Sequence, residues 1–232
     1  MQDFKDYLMK KFGKSVSEIS STEFDKVLIN KKFKMICWDD VATYFNETND
    51  EFNGEFSSAD GLYILEKDDK TQLFFFEFKN INYSDDADRQ MSIFHLKNYL
   101  KQMKECDGKC EIHDGIEKLL DFLVDISHVS MRSKPSDSLS LFYYMMKEYY
   151  DSEDDDGSLI DKLFRTEKFF FLVSNTHSEY LPFKNRSNRR STIAKPLNFL
   201  KRFEPYHYTN VYAVYKKGFD RYFYNHNKEH FN

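Results

Sequence analysis

No apolar run in this sequence approaches the roughly 20 residues that a helix needs to cross a bilayer; the longest is FFFLV at 169–173. A membrane-spanning helix is therefore not expected. The opening MQDFKDYLMKKFG lacks the continuous apolar stretch of a signal peptide and instead places Phe4, Tyr7, Leu8 and Phe12 at helical spacing. Cysteine is scarce, with three in the chain, too few for a disulfide framework. Without an export signal, reduced thiols and a cytoplasmic location are expected. The seven glycines are scattered singly. That removes the Gly-rich phosphate loops of nucleotide-driven motors and dinucleotide-dependent dehydrogenases, and no Gly-x-Ser-x-Gly nucleophile elbow is present. Tryptophan occurs once, against 24 Phe and 16 Tyr, so Phe and Tyr must build the core.

What remains is ordinary for a folded protein of 232 residues: 41% apolar and 31% charged, long enough for one sizeable core. The reading is a single domain over 1–232. It comprises an N-terminal helical part (1–55), a hairpin (56–80), a helical segment (90–150) and C-terminal strands with a basic loop (165–232). In the first part, Ser20-Ser21-Thr22-Glu23 has the pattern of a capping box ahead of Phe24, Val27 and Leu28, and a second helix runs through Trp38, Val41, Ala42 and Phe45. Further helices are expected at Ile93–Met103, at Asp114–Leu123 and from Ser136 through Tyr149. The acidic run DSEDDDGS at 151–158 reads as a solvated linker, and KFFFLV (168–173) and NVYAVY (210–215) read as strands. The order implies an α/β protein with a mixed central sheet.

The hairpin carries the chemistry. Leu62–Leu65 and Leu73–Phe78 are strand-like, with the polar KDDKTQ between them. Because side chains alternate along a strand, Glu77 and Lys79 share one face and Phe76 and Phe78 the other. If the Phe face enters the core, the charged face looks into a cleft or onto solvent. A turn centred between Asp69 and Lys70 places Asp60 opposite Lys79 and diagonal to Glu77, and a two-residue shift in register keeps Asp60 on that face. Two carboxylates and an ammonium then lie within a few ångströms. Such carboxylates can hold Mg²⁺ with water and phosphate positions left open, the ion serves phosphodiester hydrolysis, and a lysine steadies the attacking water or the charged phosphorane.

These residues, Asp60-Gly61 entering one strand and Glu77-Phe78-Lys79 ending the next, resemble the PD-(D/E)XK nuclease superfamily. Over about residues 20–175 the resemblance implies a restriction-endonuclease-like core: a mixed central sheet flanked by helices, here with an additional helical segment. It further implies Asp60 and Glu77 as ligands of Mg²⁺ or Mn²⁺ and Lys79 as the catalytic lysine, with DNA as substrate and RNA left open. Ala59 stands where the signature has Pro. RQMSIF resembles the superfamily's Gln-x-x-x-Tyr motif only with Phe94 in place of Tyr, which makes Gln90 a supporting candidate. Lys134, beside Ser138, is the polar group that the core helix could supply, and Glu55 is a possible third acid, although a turn residue in NGEFSS is the plainer reading. The pattern acid-x-Lys also occurs at Asp3-Lys5, Asp68-Lys70 and Asp107-Lys109; only Glu77-Lys79 lies in a strongly apolar strand. The competing reading is an edge strand whose charges meet water.

Two other constellations stand out. Between Tyr180 and Phe203 there is no acid, and Lys184, Arg186, Arg189, Arg190, Lys195, Lys201 and Arg202 give a basic stretch suited to phosphate contacts, against a net charge of −5 for the chain. No recognition-helix or finger spacing accompanies it, so sequence-specific readout is not implied. A homodimer closing a DNA channel is compatible with these charges but not required by them. Cys106, Cys110 and His113 are one ligand short of the four that zinc usually takes. Cys37, His95 or His128 would have to complete the set, and two loop thiols with a surface histidine is the simpler reading. The functional expectation is a Mg²⁺-dependent nuclease acting on DNA. The alternatives are a catalytically inactive nucleic-acid-binding or protein-interaction module on the same fold, or a host-interaction or assembly protein whose basic loop meets an acidic partner.

Overall fold

Three consecutive phenylalanines, Phe74, Phe75 and Phe76, are all buried, although adjacent residues of a strand face opposite ways. Their strand must therefore be covered on both sides, which is the situation of a parallel or mixed sheet between helical layers. The computed structural model describes residues 1–21, 27–49, 56–67, 70–79, 133–150, 156–174, 200, 202–204 and 206–231. Within them a helix α1 (Gln2–Phe12) leads into β1 (Gly13–Ser15), a short α2 (Val16–Ile19), β2 (Lys34–Cys37) and α3 (Trp38–Thr48). The hairpin β3 (Gly61–Lys67) and β4 (Lys70–Lys79) follows. Helix α4 covers 133–150. Then come α5 (Asp156–Arg165), β5 (Glu167–Ser174), β6 (Asn210–Tyr215) and a helical tail that opens with α6 (Lys216–Phe219) and passes through a π turn at Asp220–Tyr224.

The six strands form one sheet in the order β1-β2-β3-β4-β5-β6. β1 to β4 are antiparallel neighbours, while β5 runs parallel to β4 and β6 parallel to β5. The protein is thus an α/β protein with an open mixed sheet. On one face Leu73, Phe75, Phe170 and Leu172 pack with Phe4, Trp38, Phe45 and Phe142 from α1, α3 and α4. On the other, Phe74, Phe76, Phe78 and Phe171 pack with Phe33, Phe219 and Phe223, the last two from the C-terminal tail. Burial of one such ring contributes about 1.5–3 kcal/mol, so the Phe run of β4 stabilises both layers at once. No helix among the described residues is long and apolar enough to cross a membrane.

Several expectations meet this structure directly. Helices are present over Gln2–Phe12, Trp38–Thr48 and 133–150, and strands where FFFEFK, KFFFLV and NVYAVY lie. β4 sits between β3 and β5, so the edge-strand reading fails. The capping box expected at 20–23 does not start a helix through Val27 and Leu28. The bonded box is Ser15 with Glu18, at the start of α2. Ser20 ends that helix, its Oγ accepting from the N–H of Ile29 at 3.0 Å, and Val27 bridges back to Ser21 as extended chain. The strand pair Gly13–Ser15 and Lys34–Cys37 was expected as helical sequence; it instead extends the sheet beyond β3. Residues 156–158 of the acidic run open α5 rather than a linker. The expected helices at 93–103 and 114–123 lie outside the described residues.

Candidate active site

The hairpin ladder ends at Lys67↔Lys70 and begins at Gly61↔Phe76, so the register is shifted by two residues from the one expected. Continued by one step, it sets Asp60 opposite Glu77 rather than opposite Lys79. Asp60 is on the expected face. At Glu77 that face is not open to solvent, because the residue continues the buried row of Leu73 and Phe75 and is itself fully buried, while Asp60 and Lys79 beside it stay partly exposed. The correction has a simple cause: both faces of a sheet centre are covered, and a charge there survives only if the protein supplies partners.

Two lysines supply them. Lys79 Nζ lies 2.5 Å from Glu77 Oε1, and Lys134 Nζ, from the first turn of α4, lies 2.9 Å from Glu77 Oε2 and 3.6 Å from Asp60 Oδ1. Asp60 Oδ2 accepts from the backbone N–H of Phe78 at 2.5 Å, and the Asp60 carbonyl accepts from the N–H of Trp38 at 3.0 Å. The aspartate is thereby tied to β4 through its side chain and to the start of α3 through its backbone. Gly61 follows because a side chain there would press on buried Met35, whose sulfur lies 2.7 Å from where a Cβ would sit.

Helix α4 is pinned at the end that carries Lys134. The N–H of Ala59 donates to Ser138 Oγ at 2.8 Å, the N–H of Ser57 donates to Asp137 Oδ2 at 3.2 Å, and Tyr208 Oη donates to the Pro135 carbonyl at 2.7 Å. Pro135 is tolerated because a first-turn N–H has no intrahelical partner to lose. A proline at 59 would have no N–H to give Ser138. Lys134, by contrast, sits where the helix dipole disfavours a cation, and the two carboxylates offset that placement.

The electrostatics follow from burial. Burial, and then the nearby Glu77, raise the Asp60 pKa well above the usual carboxylate range, against the pull of Lys134 and Lys79. Burial works to lower the pKa of Lys79, yet Glu77 and Asp60 outweigh it and the net shift is upward. The same balance holds for Lys134, with Lys79 as an added opposing charge. Both lysines are cations at neutral pH, and they face two carboxylates, one of them inclined to take a proton.

A divalent cation fits this donor set. Glu77 Oε1 meets Lys79 Nζ at 2.5 Å and has no further partner among the described residues, and a carboxylate oxygen with one such contact retains a second lone pair for a hard cation. With Asp60 it offers the two-carboxylate arrangement that Mg²⁺ accepts while retaining waters. Asp39, at the start of α3, adds a third negative charge felt by Asp60 and both a Coulombic and an ordering role: its Oδ1 accepts from Ser58 Oγ at 2.6 Å. Sequence reasoning missed Asp39; its only signal was the Asp39-Asp40 pair opening a helix. Among the described residues no cluster of three or more His, Cys, Asp or Glu is arranged for a metal.

Of the other candidates, Glu55, Gln90, Cys106, Cys110, His113, Lys184, Arg186, Arg189, Arg190 and Lys195 lie outside the described residues. Arg202 is described and exposed, with its guanidinium 4.8 Å from the Phe203 ring centre. Cys37 is buried, and burial pushes its thiol up to about 11, which describes a core residue rather than a nucleophile. No family model, no curated protein and no solved structure matches this chain.

Proposed function

We propose that the protein is a Mg²⁺-dependent nuclease of restriction-endonuclease-like fold, acting on DNA. The observation that carries this reading is the convergence of Asp60, Glu77, Lys79 and Lys134 at one end of β3 and β4, two carboxylates and two ammoniums on one sheet face. The order of elements supports it: a superfamily core of a helix, three antiparallel strands, a helix and a further strand is matched by α1, β2-β3-β4, α4 and the parallel strand β5, with β1, α2, α3, α5 and β6 as additions among the described residues.

In this reading Asp60 and Glu77 hold the cation, which supplies activation of a water and neutralises charge gathering on phosphorus. The ion pair with Glu77 fixes the Lys79 ammonium, poised to orient the water or to meet the developing oxyanion. The Phe78 N–H fixes the Asp60 carboxylate, so the pair of acids is set before substrate arrives. Phosphate contacts fall to the basic stretch that includes Lys184, Arg186, Arg189, Arg190, Lys195 and Arg202, which bind backbone rather than base sequence. Incubation of supercoiled plasmid and of single strands with Mg²⁺, beside Glu77→Ala and Lys79→Ala, tests the proposal; equal trace cleavage by wild type and variants rejects it.

One observation favours a second reading. The two lysines balance the two carboxylates without any metal, as a catalytically inactive nucleic-acid-binding or protein-interaction module on this fold would need. Salt-dependent DNA binding with no uptake of Mg²⁺ in calorimetry supports that alternative.

A further inference from the structure

Among the described residues, Lys134 is the side chain that forms ion pairs with both carboxylates. Its ammonium lies 2.9 Å from Glu77 Oε2 and 3.6 Å from Asp60 Oδ1, and so stands between the oxygens that a shared cation would draw together. Resting on the nuclease reading, we propose that Lys134 is an internal counter-ion of this site, which a divalent cation displaces on binding.

Charge balance argues for displacement. Asp60 and Glu77 contribute two negative charges and Lys79 and Lys134 two positive ones. A divalent ion added to that set leaves two uncompensated positive charges beside a fully buried glutamate, where screening by water is weak. Lys79 is the poorer candidate to leave, because it projects from the same strand as Glu77 two residues on and its position is set by the strand. Lys134 comes from a different element, at the tip of a helix, on a flexible four-carbon stem.

The structure also provides a place to go. Lys134 lines a polar cleft of about 520 Å³ with Asp39, Asn46 and Glu47 of α3 and Ser57 and Ser58. Rotation of the side chain into this cleft brings the ammonium toward Asp39 and Glu47, and it leaves the repulsive contact with the incoming cation. The move costs little on the helix side, since the first turn of α4 disfavours a cation in the first place. Anchoring of α4 by Ala59, Ser57 and Tyr208 means that the side chain, and not the helix, does the moving. The site would thus be kept neutral and ordered before metal arrives, and the same lysine would then be free in the cleft to contact a phosphate.

Calorimetric titration of Mn²⁺ into wild type, Lys134→Met, Lys79→Met and Glu77→Gln tests this without any activity measurement. Lys134→Met is expected to bind Mn²⁺ about tenfold or more tightly than wild type, because a like charge has been removed from the ligand pair. Lys79→Met should show a smaller gain, and Glu77→Gln should lose binding. Equal or weaker binding by Lys134→Met while wild type binds metal overturns the displacement but leaves the nuclease reading standing; no binding by either overturns both. Should Lys134→Met fail to fold, ammonium NMR of wild type serves instead. A shift of the Lys134 signal on adding Mg²⁺, larger than that of Lys79, supports displacement, and an unmoved Lys134 signal with metal bound overturns it.

Discussion

Lys134 and Glu77, 57 residues apart in the chain, meet at 2.9 Å on the covered face of the sheet. The glutamate has no access to water, so the first consequence concerns stability. Lys134→Ala leaves Glu77 with Lys79 as its one cation and uncovers the like-charge contact with Asp60. Breaking a buried pair by removing one partner costs about 3–5 kcal/mol. With Lys134 15% exposed and Lys79 remaining, the expected loss is at the lower end, measured as the change in urea midpoint in metal-free buffer.

Asp60 titrates with the opposite sign from an ordinary salt-bridged acid. Burial and Glu77 raise its pKa in the folded protein, so the folded state takes up a proton more readily than the unfolded chain. Stability therefore falls as pH rises from about 4, the unfolded carboxylate value, through the raised folded value, and the cost persists at neutral pH. Asp60→Asn removes that titration. In metal-free buffer the variant should melt above wild type at pH 7, with the gap closing toward pH 4. A lower melting temperature at pH 7 contradicts the electrostatic assignment.

Ala59 donates its N–H to Ser138, and this bond holds the first turn of α4 against the hairpin. Ala59→Pro, which removes that N–H, should destabilise the protein by about 1–3 kcal/mol, the cost of leaving a buried acceptor without its donor. Tyr208→Phe tests the same anchor from the segment just before β6, with an expected loss of about 1 kcal/mol for its hydrogen bond to the Pro135 carbonyl. Ser138→Ala combined with Ala59→Pro should cost less than the sum of the two single changes.

Cys37 has a thiol raised from 9 to about 11 by burial, despite a favourable backbone contact at Asp40. The neutral thiol is favoured in the folded state, so its contribution to stability is complete below pH 9 and is lost as pH climbs through 11. At pH 8 the Cys37 peptide should remain unalkylated in the native protein and become alkylated in urea. The difference in stability between wild type and Cys37→Ala should shrink between pH 9 and 11.

The strands of this sheet were legible where they are long and apolar: FFFEFK, KFFFLV and NVYAVY announce themselves by composition. Lys134 was legible as a candidate only through the resemblance, as a polar group beside Ser138 that a core helix could supply, because the apolar periodicity begins at Ser136, two residues after it. The hairpin register was legible only to its parity, since KDDKTQ contains no glycine or asparagine to mark which two residues turn. β1 and β2 were not legible, being three and four residues long and set among helical patterns. Nor was the helical tail, where Phe219 and Phe223 sit one turn apart in a segment of aromatic and polar residues that reads as neither period alone. The burial of Glu77 was hidden for a different reason. A charge in a strand suggests solvent, and the cations that permit its burial include one contributed by a distant helix.

The most direct test of the account is single-turnover cleavage of a plasmid substrate in Mg²⁺ by wild type, Glu77→Gln and Lys79→Met, each verified as folded. Metal-dependent cleavage by wild type, abolished by chelation, is expected, with losses of about 10²-fold or more in each variant, the scale for removing one group that stabilises developing charge. Cleavage at the same rate by all three proteins, or none by metal-loaded wild type on duplex and single-stranded DNA and on RNA, contradicts it.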